Sequence, residues 1–266
     1  MSLSKIIILI PHFNNVKELL LSIKSIDETI PVDILIIDDG SSNKPSKEEL
    51  QDLYSQGELY IEYLQENLGI EKALNVGLSI IEKEHYKYIG RLDCGDINYK
   101  NKYTKQVTYL DDHPDTYLLG TWVELVDVHG NFLYTLKHPT EYKVIKKRMY
   151  LNSMFVHPSV VYKTEVLSII GNYPVDYKAA EDYAYFFDIL KKLKVENYPE
   201  VLLLYKVDNN SISSQKRRIQ VKNRIRIILK HFYVGYWPIY GLIRNVPLFF
   251  MSRKLTTWLK QWFKKE

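Results

Sequence analysis

Ile34-Leu35-Ile36-Ile37-Asp38-Asp39-Gly40-Ser41-Ser42 is an apolar run that ends abruptly in two carboxylates and a turn. A run with no polar alternation reads as a strand covered on both faces, the habit of parallel sheets flanked by helices. Upstream, Ile6-Ile7-Ile8-Leu9-Ile10, closed by Pro11, reads the same way. Between the two, Val16, Leu19, Leu20, Ile23 and Ile26 recur at helical spacing from Asn15 to about Asp27. Downstream, Ser46-Lys47-Glu48-Glu49 has capping-box form and predicts a helix to about Gln56. Leu59 to Leu64 reads as a third strand, Glu71 to Lys83 as a helix and Tyr86 to Leu92 as a fourth strand. This alternation predicts an α/β fold with a Rossmann-like, mostly parallel central sheet and right-handed crossovers. Ligands of such sheets bind beyond the carboxyl ends of the strands, where Asp38/Asp39 and Asp93/Asp96 face one crevice.

The second half is more mixed. Tyr99 to Asp112, Glu141 to Leu151 and Glu181 to Lys194 read as helices; Tyr117 to Val126, Phe132 to Tyr134 and Val160 to Tyr162 read as strands. Hydrophobic residues make up 46% of the chain, enough for a core in 266 residues. The one cysteine, Cys94, excludes an internal disulfide framework and fits a reducing compartment. Met1-Ser2-Leu3-Ser4-Lys5 runs straight into an apolar strand with no small-residue cleavage site, so no signal peptide is expected.

Three acidic motifs sit where apolar chain gives way to loop or helix. Asp38-Asp39-Gly40-Ser41 can accept hydrogen bonds from a base or ribose, or it is a turn that caps its own backbone. The two acids of Asp93-Cys94-Gly95-Asp96 can share a divalent cation with phosphate oxygens, or they belong to an Asp-Gly turn. Glu181-Asp182 can supply a general base, or it is an acidic pair complementing a helix dipole. Phosphate-loop, dinucleotide-binding and zinc signatures are absent.

In their order these motifs resemble family 2 of the glycosyltransferases, inverting enzymes with the GT-A fold. Ile8-Leu9-Ile10-Pro11-His12-Phe13-Asn14-Asn15 is similar to the family's opening strand, and Ile36-Ile37-Asp38-Asp39-Gly40-Ser41 to its nucleotide-contacting strand end. Glu66-Asn67-Leu68-Gly69 and Ala73-Leu74-Asn75-Val76-Gly77-Leu78 are similar to the loop and helix that follow. Arg91 to Ile97, His157-Pro158-Ser159, Ala180-Glu181-Asp182-Tyr183 and Leu204-Tyr205-Lys206 resemble the subgroup that builds bacterial capsule, O-antigen and other surface polysaccharides. The resemblance implies that Pro11, Phe13 and Asp39 line the base and ribose and that Lys72 approaches the diphosphate. It implies that Arg91 and Asp93 join the donor site, that Asp182 is the catalytic base and that Glu181 lies on the acceptor side. It also implies Mn²⁺ or Mg²⁺ on Asp93 and Asp96. The family's usual acid is replaced by Gly95, however, so Asp208 becomes a further candidate ligand. The implied partners are a nucleotide-sugar, UDP-linked by family frequency, and a saccharide acceptor on a polyprenyl diphosphate. The loss at Gly95 raises one alternative, a non-catalytic member that binds sugar nucleotide or assembles partners at the membrane.

Charge divides the chain. From Gln215 onward 13 Lys/Arg face one acid, a net of +12, whereas the preceding residues carry 23 Lys/Arg and 31 acids, a net of −8. Three segments are therefore expected: 1–98 for nucleotide, 99–214 for acceptor, and a basic, aromatic, helical extension over 215–266. Arg217 to Phe232 reads as an amphipathic helix with Val221, Ile225, Ile228 and Phe232 in one stripe. Tyr233 to Ile243 is uncharged but shorter than the roughly 20 residues that span a bilayer. Trp and Tyr beside Lys and Arg suit an anionic membrane surface. The expected location is the cytoplasm, peripheral on the inner face of a bacterial cell membrane. No nucleic-acid module is recognisable, and no nucleic-acid partner is expected.

Overall fold

The computed structural model describes residues 4–207 and 216–250. Its first half alternates as the sequence predicts: β1 (Ile6–His12), α1 (Val16–Lys24), β2 (Asp33–Asp38), α2 (Lys47–Leu53), β3 (Leu59–Tyr63), α3 (Ile70–Ile81) and β4 (Tyr88–Arg91). Ser46 caps α2, its side chain accepting from the Glu49 amide at 3.2 Å. The remainder is β5 (Ile97–Asn98), α4 (Lys102–Asp112), β6 (Thr116–Val126), β7 (Phe132–Leu136), α5 (Tyr142–Arg148), β8 (Val161–Lys163), α6 (Val166–Ile170), α7 (Glu181–Lys192) and β9 (Lys194–Lys206). Two helices follow, α8 (Arg217–Lys230) and α9 (Tyr236–Phe250).

One sheet runs in the order β3-β2-β1-β4-β8-β6-β9-β5, with β7 on the flank of β6. The pairs β3–β2, β2–β1 and β1–β4 are parallel. Beyond β4 the sheet is mixed: β8 runs antiparallel to β4 and β6, while β9 runs parallel to β6. The expectation of a mostly parallel sheet is thus correct for the first half and corrected for the second. There, β9 threads between β6 and β5 with only a tight turn separating it from α7.

Both faces of the sheet are buried, which explains the uninterrupted apolar strands. Ile7 and Leu9 of β1 pack with Leu74 and Leu78 of α3 and with Phe186 of α7. Ile6, Ile8 and Ile10 pack on the opposite face with Leu19 and Ile23 of α1 and Val107 of α4. Among the described residues, no helix is long and apolar enough to cross a membrane. Leu59–Tyr63 lies at the sheet edge, which accounts for its weaker, half-exposed pattern.

The described part of the basic extension, residues 216–250, packs against the body. Val221, Ile227 and Ile228 of α8 are buried, whereas Phe232, expected in the same stripe, is 42% exposed beyond the helix end. Lys230 pairs with Asp188 of α7 at 2.8 Å, Asn223 donates to the Lys178 carbonyl, and Arg226 donates to the Asp176 carbonyl. In α9, Arg244 donates to the Leu151 carbonyl. The rest of the expected basic, aromatic extension, residues 251–266, lies outside the described residues.

Candidate active site

The ends of β1 and β2 lock together before any ligand is considered. Asn15 donates its amide to His12 Nε2 at 3.0 Å, so the ring proton sits on Nδ1 and is donated to Asp38 Oδ1 at 2.7 Å. Asp38 also accepts the Ser41 amide, and Asn14 Oδ1 accepts from Ser42 and Asn43. Asp39 spends both carboxylate oxygens on the amides of Leu68 and Gly69, at 2.7 and 3.0 Å. It therefore ties β2 to the loop that starts α3. Gly40, at φ +69°, lies so close to that loop that a Cβ would sit 2.4 Å from the Glu66 carbonyl carbon, so only glycine fits. Pro11 is half-buried at the end of β1, and the Phe13 ring is 48% exposed beside this knot.

At the end of β4, Arg91 is fully buried. Its guanidinium donates to the Leu9 carbonyl, to Asp93 Oδ1 at 2.7 Å and to His157 Nε2 at 3.2 Å. Arg91, expected at the donor site, has Nε, Nη1 and Nη2 each bonded within the protein. It positions Asp93, whose side chain remains 30% exposed. Burial and the Arg91 charge hold the His157 imidazole well below its ordinary range, so it stays neutral between Arg91 and the Tyr173 hydroxyl.

Gly95 has φ +96°, and a Cβ there would lie 2.9 Å from Glu18 Oε2. The space next to the missing family acid thus belongs to Glu18 of α1, which pairs with Lys206 of β9 at 2.7 Å. Asp96 is buried and accepts the Lys206 amide at 2.9 Å; burial, and then the Asp93 charge, push its carboxyl well up. Asp96, expected as a metal ligand, is thus buried in this corner with its oxygen Oδ1 bonded to the Lys206 amide. Asp208 lies outside the described residues. Among the described residues, no three His, Cys, Asp or Glu side chains converge on a metal position. Asp93 is the exposed carboxylate of this corner.

The third element is the first turn of α7. Glu181 is buried, with Oε2 lacking any hydrogen-bond partner. Burial first, then the neighbouring Asp182, raise its carboxyl well above the glutamate range, so it holds its proton near neutrality. Asp182 is half-buried and accepts the Tyr183 amide at 2.7 Å. Burial raises its carboxyl too, opposed by that hydrogen bond and by the charge of Arg224. The Asp93 charge acts on both acids, as does that of Glu71 on Glu181. The structure therefore brings Asp93, Glu181 and Asp182 into one corner. It does not bring Lys72 there. Lys72 lines a groove of about 460 Å³ along α3 with Glu62, Asn75 and Lys83. Glu18, Lys206 and Arg224 were not singled out from sequence. Lys206 stands in a quoted motif, but Arg224 carried no signal within a uniformly basic helix.

A parallel half-sheet with carboxylates beyond its strand ends defines the class, a GT-A-like α/β enzyme. The sequence profile of Glycosyl transferase family 2 matches residues 7–169, well over half of the chain. The protein belongs to that family and is a glycosyltransferase enzyme. It is 31% identical over 206 residues to the uncharacterized glycosyltransferase MJ1057 of Methanocaldococcus jannaschii, covering 74% of this chain and 69% of the relative. It is 27% identical over 235 residues to the Escherichia coli UDP-Gal:alpha-D-GlcNAc-diphosphoundecaprenol beta-1,3-galactosyltransferase, covering 85% and 82% of the two chains. The fold is shared with Staphylococcus aureus TarS 1-349 in complex with UDP-GlcNAc (TM-score 0.65, 16% identity, 94% and 74% of the chains). It is also shared with the mannosyltransferase PcManGT of Pyrobaculum calidifontis, solved with GDP-Man and Mn²⁺ (TM-score 0.65, 14% identity, 93% and 74%).

Proposed function

We propose that the protein transfers a sugar, with inversion, from a nucleotide-sugar to a hydroxyl of a saccharide carried on a polyprenyl diphosphate, in surface-polysaccharide assembly. The reading is carried by the convergence of Asp93 with the Glu181-Asp182 turn beyond the parallel strands. In this reading the 1–98 half holds the nucleotide, with Pro11 and Phe13 against the base and the Asp39 knot shaping the ribose side. The 99–214 half offers the acceptor. Asp182 takes the proton of the acceptor hydroxyl as its oxygen bonds to the anomeric carbon, and the nucleoside diphosphate leaves from the opposite face. Protonated Glu181 donates a hydrogen bond on the acceptor side. UDP is the favoured nucleotide, in keeping with the galactosyltransferase relative and the TarS complex.

A divalent cation, Mn²⁺ or Mg²⁺, would be held by Asp93 together with diphosphate oxygens, since such ions often take one or two protein carboxylates and complete their shell on phosphate. Its chemistry would be to neutralise the leaving diphosphate. The test is acceptor-independent nucleotide release from a panel of sugar nucleotides, with and without EDTA. One donor is expected to be hydrolysed slowly and to lose that hydrolysis in Asp182→Asn. Failure of every donor to bind by calorimetry would end the reading.

The proposal extends to the membrane. Tyr236, Ile239, Tyr240, Ile243 and Val246 form one exposed face of α9, in a segment whose sequence from Gln215 onward carries a net charge of +12. The protein should pellet with vesicles containing phosphatidylglycerol but not with purely zwitterionic ones. Ile239→Asp with Ile243→Asp should weaken that binding at least ~10-fold, because each buried isoleucine contributes about 1.5–3 kcal/mol. Unchanged pelleting would remove α9 from the proposal.

A further inference from the structure

Lys102 opens α4 and is fully buried. A cation at the first position of a helix faces the positive end of its dipole, and a buried ammonium also forfeits its water. Its Nζ has four neighbours: the Pro158 carbonyl at 2.7 Å, Asn98 Oδ1 at 2.9 Å, and the Arg91 carbonyl and Tyr103 hydroxyl at 3.3 Å each. All four are uncharged. Charged groups act from further away: Glu28, Asp96 and Asp93 favour the Lys102 proton, and Arg91 opposes it. Glu28 is itself spent on the Tyr103 and Thr104 amides at the start of α4. His157, next to Pro158, is neutral. Burial outweighs the acids and brings the Lys102 ammonium down to about 7.

The contacts show what this costly side chain maintains. Arg91 closes β4 and Asn98 closes β5, so they are the two stems of the turn that carries Asp93 and Asp96. Pro158 belongs to the turn that sets His157 against Arg91. One ammonium therefore joins three segments beneath Asp93. Its three N–H donors match the acceptors on Pro158, Asn98 and Arg91. A neutral amine has two, so loss of the proton withdraws one of these contacts. On its α1 side the same turn is held by Ser22 Oγ, which accepts the Gly95 amide at 2.9 Å and donates to the Asp93 carbonyl at 3.3 Å.

We propose that Lys102, in its ammonium form, is a positioning residue of the donor site: it clamps both stems of the Asp93–Asp96 turn and so sets Asp93 for the donor. The proposal rests on the functional reading above, which puts the donor at Asp93. Lysine is charged below its titration point and neutral above it. Donor affinity should therefore be full below about 7 and fall as pH rises through that value.

The test is calorimetric binding of UDP with Mg²⁺ at about pH 6 and about pH 8. Wild-type affinity should fall at least ~5-fold between the two, following the ammonium fraction. Lys102→Met should bind at least ~10-fold more weakly at the lower pH and change less than about twofold with pH, having no charge to lose. Lys102→Arg, ionised throughout, should also lose the pH dependence while binding more tightly than Lys102→Met. A residue that only supports the fold would not move the pH profile in this way. Circular dichroism checks the fold. If Lys102→Met does not fold, Asn98→Ala replaces it: taking an acceptor from the ammonium should shift the wild-type limb to lower pH, and an unmoved limb overturns the proposal. So does a Lys102→Met affinity within about twofold of wild type at the lower pH. An equal fall with pH in both proteins also overturns it and assigns the limb to Glu181, raised to about 8. Failure of UDP to bind wild type would count against the functional reading, and Cys94 would then decide this one. Its thiol lies in the clamped turn and donates to the Pro11 carbonyl at 3.4 Å. A disulfide-exchange reagent at about pH 7 should label it at least ~10-fold faster in Lys102→Met than in wild type, and an unchanged rate overturns the proposal.

Discussion

Asp182→Asn is expected to lower kcat by roughly 10²–10⁴-fold while leaving donor affinity within about threefold, because a general base of this kind supplies that factor and contributes little to ground-state binding. The amide keeps the shape and can still accept the Tyr183 amide at the oxygen that now sits 2.7 Å away, so the fold is retained. The neighbouring position supplies the contrast. Glu181 holds a proton near neutrality because it is buried beside Asp182, and Gln imitates that protonated state as a donor and acceptor. Glu181→Gln should therefore cost no more than about tenfold, an asymmetry that two equivalent helix-capping acids would not give. The pH profile has a fixed sign. A base must be unprotonated to act, and burial raises the Asp182 carboxyl. Activity should then rise with pH through a limb displaced above the ordinary aspartate range. The comparison is kcat and kcat/KM for both variants from about pH 5 to 9. Equal losses in the two variants, or an Asp182→Asn defect confined to KM, would take the base away from Asp182.

How much of this was legible depended on whether a residue's partners were near it in sequence. Strands β1 and β2 were readable because each is a nearly unbroken apolar run, and Ser46 announced its helix through a residue three positions on. Strand β9 was not readable. Its register against β6 jumps from Tyr198 to Val201, so Pro199 and Glu200 form a bulge that breaks both the alternation and the ladder. At the site, sequence located Asp93 and Asp182 but not their surroundings. Arg91 looked like a cation at a strand end, yet its partners Leu9 and His157 lie 82 and 66 positions away. Gly95 read as a simple loss of an acid. The carboxylate in the adjoining space, Glu18, comes from α1, and its cation, Lys206, is 188 positions further on. Arg224 was hidden for another reason. In a helix with a basic residue on nearly every turn, composition does not distinguish the cation that faces inward.

Arg91→Met should be the most damaging substitution to stability, with a loss of about 3–5 kcal/mol and a fall in melting temperature on the order of 10 °C. The side chain is fully buried and holds three partners from different segments. Methionine fills much of the volume, so the cost comes from what is left behind. The Leu9 carbonyl and His157 Nε2 would each lose a charged donor inside the protein, a loss of about 1.5–3 kcal/mol apiece, and Nε2 would keep only the Tyr173 hydroxyl. Arg91→Lys keeps the charge but offers one compact ammonium instead of a planar fork, so it should recover only part of the loss. The same experiment reports on the crevice. Without Arg91, Asp93 loses its 2.7 Å anchor and samples other rotamers. Donor affinity, measured by calorimetry at a temperature where the variant remains folded, should fall about tenfold. Thermal melts decide the first part: a change below about 1 kcal/mol would mean that the three contacts are replaceable by water. If stability falls and donor affinity does not, Arg91 is a core residue alone, and Asp93 keeps its position through the backbone of β4.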